Sequence, residues 1–595
     1  MTTDRPRVAI SPTHLLLALG ITAYILIFTA AAFYKYDSYL MGFDLGVHEQ
    51  VLWNTAHGRI AASSAFANTD SYFGIDIIPT ELLLAPIYAL FPSVYTMLFL
   101  KTLALALGAV PVYLLVRDRF QSLEIGDWRS GETQRDNLQS PISNFQLPEL
   151  AGLVFAAAFL LYLPVQYMNL YEFQIRAFAT TFLVWAFYGL ERRRFGLFLT
   201  FALLALGCRS EVGLVLIGVG VYGVRDWRLE IRDWQRSNLQ SPISNLQFIK
   251  FGVLPILFGL GWFILCLQVL IPMFRNGAPS LYLSVVYGTI GDQPWLGNTP
   301  GEIFRTLLTQ PGFVLQEVFF GAEGRGAARV QYLIEMFLPF GFLLLLQPRM
   351  LLITLPIFGL NLLSNTPQLH AGASFHYQAL IIPFMVIGSA YALEWLIWRP
   401  TADDRRRTTD DRRPTTDDRR PTTDEEGERG RGGEGKTRYT RRKTQDARRT
   451  TVIALIGMIV LAVACNLGFR NPFFKLIDDE LEGNIDRERI AAIERVLAQV
   501  PPDAPLTTTS VIGPHASRRS GIFFFPGNVI YPQDHICKGQ FLLIDSDERE
   551  VRAEGRRLLT ELEARGEYVR IAEDRNVTLW ERVEGQGGTR CRFDE

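Results

Sequence analysis

The residues best placed to do chemistry stand in the run FDLGVHEQVLWNTAHGR (43–59), directly after the first long apolar stretch. It sets Asp44, His48, Glu49, His57 and Arg59 at a membrane exit. A carboxylate held at a bilayer surface can bind a metal ion or take the proton of a hydroxyl. Further polar groups recur where later apolar runs end: Tyr171, Glu172 and Arg176 in YEFQIR, Arg209 and Glu211 in the triplet Arg-Ser-Glu, and His370, His376 and Tyr377 in the segment 365–377.

Each of these has a plainer reading. Loops at a membrane surface are polar anyway, and a single His or Arg there is ordinarily a solvated or headgroup contact. Asp44 and Glu211 stand out because each abuts an apolar span with little loop around it, where an unpaired carboxylate is costly. Arg209 is the ready partner for Glu211. Lys101 lies about two turns inside the second span and is read first as snorkelling to the interface, second as meeting a lipid phosphate.

The elements that must carry these residues follow from composition. A chain of 595 residues with 49% hydrophobic and 12% aromatic content is too apolar for a soluble protein of this size, which makes it an integral membrane protein. Apolar spans are expected at 12–34, 94–116, 150–167, 177–190, 195–208, 211–224, 249–271, 331–347, 350–364, 378–398 and 451–469. These make about eleven crossings, and the first, at roughly twenty residues, is long enough to cross a core of about 30 Å. The segment 80–91 is too short to cross and reads as re-entrant or interfacial. With the N-terminus inside, the Arg-bearing loops at 117–135, 192–194, 225–236 and 399–449 all fall on the cytoplasmic face. The loops holding Asp44, Glu172, Arg209 and His376 then share the outer face, as does everything after the last span.

The expected organisation is a polytopic α-helical membrane domain over 1–398, with low-complexity cytoplasmic insertions at 120–148 and 226–247. A disordered charged linker over 399–450, the last transmembrane helix at 451–469 and a small extracytoplasmic α/β domain over 470–595 complete it. The insertions repeat NLQSPISN(F/L)Q, and 403–423 repeats DDRR with TT without an apolar seam, so they read as tethers with no nucleic-acid role. The C-terminal region shows amphipathic helices near 485–500 and 547–565 and strand-like runs at 506–512, 522–525, 541–545, 568–571 and 577–581. Cys208, Cys266 and Cys465 lie in apolar runs. Cys537 and Cys591 are a candidate disulfide if their domain lies outside the cytoplasm.

The blocks DLGVHEQVLWNTAHGR, DIIPTELLLAPIYALFPS, YEFQIRAF, CRSEVGL, SFHYQALIIPF and GPHASRRSGIFFFP resemble an uncharacterised bacterial family of predicted membrane proteins. That family is grouped with the GT-C superfamily of glycosyltransferases, which use polyprenyl-phosphate sugars. The resemblance implies a GT-C-like membrane domain in the cytoplasmic membrane and transfer of a sugar from a polyprenyl-phosphate donor to a glycan, lipid or protein acceptor at the outer face. It implies Asp44 as base or metal ligand with Glu172 beside it, and Glu49, Arg59, Lys101, Arg176, Arg209, Glu211, His376 and Tyr377 as substrate- or phosphate-binding groups. His515 and Arg518 are candidate acceptor-binding residues. A divalent metal, magnesium or manganese, held by Asp44 with Glu172 is one candidate cofactor. The chain departs from the family pattern at Asp76-Ile77-Ile78-Pro79, where His-Phe-Ser-Pro is usual, at Gln174, where a His is usual, and at Ser210. A membrane transporter and a non-catalytic outer-surface binding or assembly protein are the alternatives. Charges gathered at the rim rather than at the bilayer midplane weigh against transport.

Overall fold

The computed structural model describes residues 11–66, 69–128, 146–234, 246–280, 295–297, 300–322, 324–364, 369, 375–398, 425–469, 471–525, 536–548, 551 and 553–583. The repeats at 137–145 and 238–245, the run 403–423, His370 and Cys591 lie outside them.

Among the described residues four helices are long and apolar enough to cross a membrane: Pro12–Asp37, Val94–Gln121, Leu246–Phe274 and Ala447–Leu481. A fifth is the bent pair Leu147–Leu161 and Leu163–Leu170. Arg176–Glu191 and the shorter apolar helices Phe195–Leu206, Val212–Val224, Pro348–Leu363 and Ile382–Ile397 fall where further crossings were expected. The expected crossing at 331–347 is not one helix. The helix Arg325–Phe337 gives way to short 3-10 turns at Leu338–Phe340 and Leu343–Leu346, with Gly341 and Phe342 both in the left-handed region. Pro339 and Gly341 supply the reason, since proline ends a helical ladder and glycine takes positive φ freely. The helix Glu425–Gly468 begins inside the segment expected to be a linker.

Two local features position the site. Pro164 opens the second half of the bent helix, and the pair turns by 45° at Tyr162, whose hydroxyl donates to the Met336 carbonyl. The run 79–90 forms two short helices, Pro79–Leu82 and Ala85–Leu90, rather than a crossing. Thr80 ties the first of them to the carbonyls of Leu204 and Gly207 at the end of Phe195–Leu206.

Val212–Trp234 and the 246–274 helix pack antiparallel through paired glycines. A Cβ on Gly213 would lie 2.4 Å from the Gly259 carbonyl, and one on Gly220 would lie 2.6 Å from that of Gly252. In lipid, where apolar side chains gain nothing by leaving the hydrocarbon, such close backbone approach is a main source of helix association.

The C-terminal region carries a five-stranded mixed sheet in the order β2-β1-β3-β5-β4, with β1 Leu506–Thr508, β2 Ile522–Phe524, β3 Phe541–Asp545, β4 Tyr568–Asp574 and β5 Val577–Arg582. β1 pairs in parallel with β2 and β3, while β5 runs antiparallel to β3 and β4. The central strand β3 is buried along its length, and its Asp545 takes a two-pronged contact from Arg489 at 2.6 and 2.5 Å. Leu506, Ile512 and Phe524 join the same apolar core as the membrane helices. Gly220→Leu is expected to cost about 1–3 kcal/mol through overpacking and to lower the thermal unfolding midpoint in detergent. Gly261→Ala, whose Cβ would meet nothing within 4 Å, should leave it unchanged.

Candidate functional site

Asp44 opens the helix Phe43–Ala56, and Glu172 caps that helix from the loop after the bent pair. The Glu172 carboxylate accepts the Leu45 amide at 3.1 Å and the Gly42 amide as well. An anion at a helix N-terminus meets both the free amides and the positive end of the dipole. Burial, reinforced by the charge of Asp44, still pushes Glu172 up to about 7. Asp44 itself is half-buried and accepts a hydrogen bond from the Tyr171 hydroxyl at 3.3 Å. Among the described residues it makes no ion pair.

Two lysines hold the loop from below. Lys35, near the end of the first long helix, donates to the Leu170 carbonyl at 2.7 Å. Lys101 donates to those of Tyr171 at 2.6 Å and Glu172 at 3.2 Å. Helix Leu163–Leu170 ends here with unsatisfied carbonyls, and ammonium groups are their natural partners. The expectation that Lys101 snorkels to the interface is therefore corrected: the residue is fully buried, and the carbonyls draw its charge inward.

Beyond Tyr171 runs a charge-balanced cluster. Arg209 Nε lies 2.8 Å from Asp76 Oδ2 and 3.6 Å from Glu211 Oε2, while Arg176 Nη2 lies 2.6 Å from Glu211 Oε1. The amides of Ile77 and Ser210 donate to Asp76 Oδ1. Burial works against the Glu211 charge, but Arg176 and Arg209 outweigh it and hold the carboxyl below its usual range. Arg209 is thus shared, and its shorter contact is to Asp76 rather than to the expected Glu211. The Arg176 guanidinium rests 4.9 Å from the Tyr377 ring, and the His376 ring lies 4.9 Å from that of Tyr171. Burial, with Arg176 and Arg209 nearby, drives His376 well below the imidazole range, so it is neutral.

The structure therefore brings Asp44, Glu172, Lys101, Arg176, Arg209, Glu211, His376 and Tyr377 into one connected group. Four predicted residues stand elsewhere. Arg59 is exposed and lies over the Trp53 ring. Glu49 faces the C-terminal domain, taking hydrogen bonds from the Ser517 hydroxyl and, at 3.1 Å, from Tyr88, with Arg518 Nε 3.9 Å away. His515 is stacked between Tyr36 and Tyr39, with ring centroids 4.2 and 3.7 Å distant, and Arg518 donates to the Pro92 carbonyl. Burial takes His515 down to about 3, which keeps the stacked ring neutral. Glu49, His515 and Arg518 thus join the C-terminal domain to the membrane helices, apart from the group around Asp44.

Sequence reasoning named Asp76, His48 and Tyr171 without giving them a role, and passed over Lys35 and Glu81. His48 Nδ1 lies 2.8 Å from Glu81 Oε2, with both side chains buried. His48 stands four residues after Asp44 on a helix, so the two share a face, a signal open to anyone who had assigned that helix. Several buried polar atoms in this neighbourhood have no hydrogen-bond partner, among them His48 Nε2, His376 Nδ1, Arg176 Nε and Gln174 Oε1. Native interiors rarely leave such groups orphaned without a reason. No group of three or more His, Cys, Asp or Glu side chains among the described residues could hold a metal ion. Glu172 already spends its carboxylate on the Leu45 and Gly42 amides.

A model of the family described as "Predicted membrane protein (DUF2079)" matches residues 35–411. The chain belongs to that family. Its matched part includes the whole of the cluster just described and stops short of the last long helix and the C-terminal sheet. No curated protein matches the chain. Two crystal structures of ArnT from Cupriavidus metallidurans are similar to it. The one bound to undecaprenyl phosphate is 12% identical, with a TM-score of 0.43, over 96% of this chain and all of that one. The apo form is 13% identical, with a TM-score of 0.41, over 96% and 99%.

Replacing Arg209 by Met should destabilise the protein by about 3–5 kcal/mol, because it strands Asp76 as a buried, uncompensated charge. The double variant Asp76→Asn with Arg209→Met should recover much of the loss in thermal unfolding. Glu49 gives a pH signature. Burial, opposed by Ser517, Arg518 and Tyr88, raises its carboxyl to about 7. The native state therefore holds this proton more tightly than the unfolded chain. The stability it contributes is complete below the ordinary carboxylate range and is lost as pH rises through about 7. Unfolding midpoints measured from pH 5 to 8 should fall in the wild type and flatten in Glu49→Gln.

Proposed function

We propose that this protein is a membrane glycosyltransferase of the GT-C kind, which moves a sugar from a polyprenyl-phosphate donor to an acceptor hydroxyl or amine at the outer face of the cytoplasmic membrane. The observation that carries the reading is the contrast within the cluster: Asp44 stays half-exposed and without a cation, while the acids around it are capped or paired. The same connected group holds orphaned polar atoms on His376 and Arg176, and His48 lies one turn along the Asp44 helix.

In this reading the lipid tail stays in the bilayer and the sugar phosphate rises to the rim. Asp44 takes the proton of the acceptor, the acceptor oxygen or nitrogen forms a bond to the anomeric carbon, and the bond from that carbon to the phosphate oxygen breaks. The polyprenyl phosphate leaves with the electron pair, and the anomeric centre inverts. Arg176 supplies positive charge toward the departing phosphate, and neutral His376 and Tyr377 hydrogen-bond it or the sugar. Disulfide-bonded Cys537 favours an oxidising, outer compartment for the C-terminal domain.

The test supplies labelled polyprenyl-phosphate sugars to the purified protein in lipid, with envelope material as the source of acceptor. Wild type should transfer label with inversion. Asp44→Asn should lose about 100-fold or more of the rate, the share usual for a general base, with unfolding unchanged. Equal rates in the two proteins would remove Asp44 from the mechanism, and label moved across vesicles without chemistry would replace the enzyme by a transporter.

A further inference from the structure

Most of the cations that sequence reasoning offered for a phosphate are already engaged. Lys101 is bound to carbonyls, and Arg209 is ion-paired with Asp76 and Glu211. Arg176 is paired with Glu211 through Nη2, and its buried Nε is unbonded. One arginine at the same end of the bundle differs from all of them. Arg275 follows directly on the Leu246–Phe274 helix and is 5% exposed. Among the described residues its Nε and Nη1 have no hydrogen-bond partner, and it forms no ion pair. Burial alone lowers its affinity for a proton, and no carboxylate opposes that effect.

The side chain is nonetheless held in place. A Cβ on Gly74 would come within 3.0 Å of Arg275 Cγ, so the stem lies against the 72–74 turn, and Phe73 packs on Phe274 with ring centroids 5.3 Å apart. One turn earlier on the helix, Ile271 packs in a small cluster with Ile77, the neighbour of Asp76. Arg275 thus stands beside the charge-balanced cluster without being neutralised by it. The carboxyl end of a long helix favours a cation there by only about 0.3–1 kcal/mol. That does not replace the hydrogen bonds two buried N–H groups require.

We infer that Arg275 is an oxyanion-binding residue that takes a phosphate or phosphodiester oxygen entering from the membrane rim. A guanidinium offers forked N–H donors that match phosphate geometry, and an incoming anion would supply both the missing acceptors and the missing charge. Naming the polyprenyl phosphate as the physiological ligand rests on the proposed function; the anion site itself does not.

The experiment measures binding, without turnover, of labelled polyprenyl phosphate, uncharged polyprenol and inorganic phosphate to the full-length protein in phosphatidylcholine nanodiscs. Arg275→Gln and Arg275→Met should weaken polyprenyl phosphate binding by about tenfold or more, the worth of a charged hydrogen bond, and leave polyprenol binding unchanged. Arg275→Lys should retain part of the affinity. Competition by inorganic phosphate at comparable concentration would identify a free-phosphate site, and none would identify the lipid. Thermal unfolding separates a binding role from a structural one. Removing an unpaired buried charge should leave the midpoint equal or higher, whereas a structural arginine would lower it. Unchanged polyprenyl phosphate and inorganic phosphate binding in Arg275→Gln, or a lowered midpoint in Arg275→Met with binding intact, overturns the inference. Loss of binding in Arg275→Gln alongside equal transfer by wild type and Asp44→Asn would keep the anion site and remove the sugar-transfer chemistry. The reverse result would remove Arg275 alone.

Discussion

Charge at the edge of the hydrocarbon has to be paired, and the end of the bundle that holds Asp44 is organised around that requirement. Asp76, Glu211, Arg176 and Arg209 contribute two charges of each sign from three separate loops and neutralise one another in a buried network. Such a network adds little net stability over apolar packing, but breaking one member is expensive. It therefore fixes the geometry of the loops that meet in it. What remains unpaired inside so thorough a system of pairing gains meaning, and among the described residues the groups without an ion pair or with orphaned atoms include Asp44, His48, His376, Arg176 and Arg275.

The same end shows how backbone groups are settled. The bend at Tyr162 and Pro164 aims the carboxyl end of Leu163–Leu170 at Lys35 and Lys101, which bind its open carbonyls. The next residue but one, Glu172, turns to the opposite kind of helix end and caps Phe43–Ala56. A single loop thus links two helix ends of opposite polarity, each met by charge of the right sign, and sets Tyr171 against Asp44. The C-terminal domain closes over the far face of Phe43–Ala56 through Glu49, Ser517 and the stacked His515.

Much of this was legible in the residues, and the parts that were not have physical reasons. Long apolar runs announce helices because hydrocarbon demands internally satisfied backbone, and β-rich runs in the last hundred residues announced all five strands. Asp44, Glu172, Arg209 and Glu211 were found from carboxylates and guanidiniums set beside apolar spans. Asp76 was seen only as a departure from a pattern, because its partner Arg209 is more than a hundred residues away. Glu49 and His515 carry the right chemistry for a site, yet which face of a helix a domain covers is decided by tertiary packing. The break at Pro339 and Gly341 was written in the sequence and outweighed there by the surrounding hydrophobicity. Arg275 could not be picked out, since being unpaired is a property of the folded surroundings and leaves no mark on the chain.

At the opposite end of the bundle, Leu115, Asp118, Arg119, Tyr188, Glu191, Arg192 and Tyr391 line a cavity of about 180 Å³ whose charges are paired, Arg119 with Glu394 and Arg192 with Asp118. The two ends make opposite predictions for a lipid phosphate. The most direct measurement is photo-crosslinking of a polyprenyl phosphate bearing a reactive group near its phosphate, in lipid, with the labelled peptides mapped by mass spectrometry. Label on the segments around Asp44, Tyr171–Arg176 and His376 is the result this account predicts. Label confined to the segments around Asp118, Glu191 and Tyr391 would contradict it.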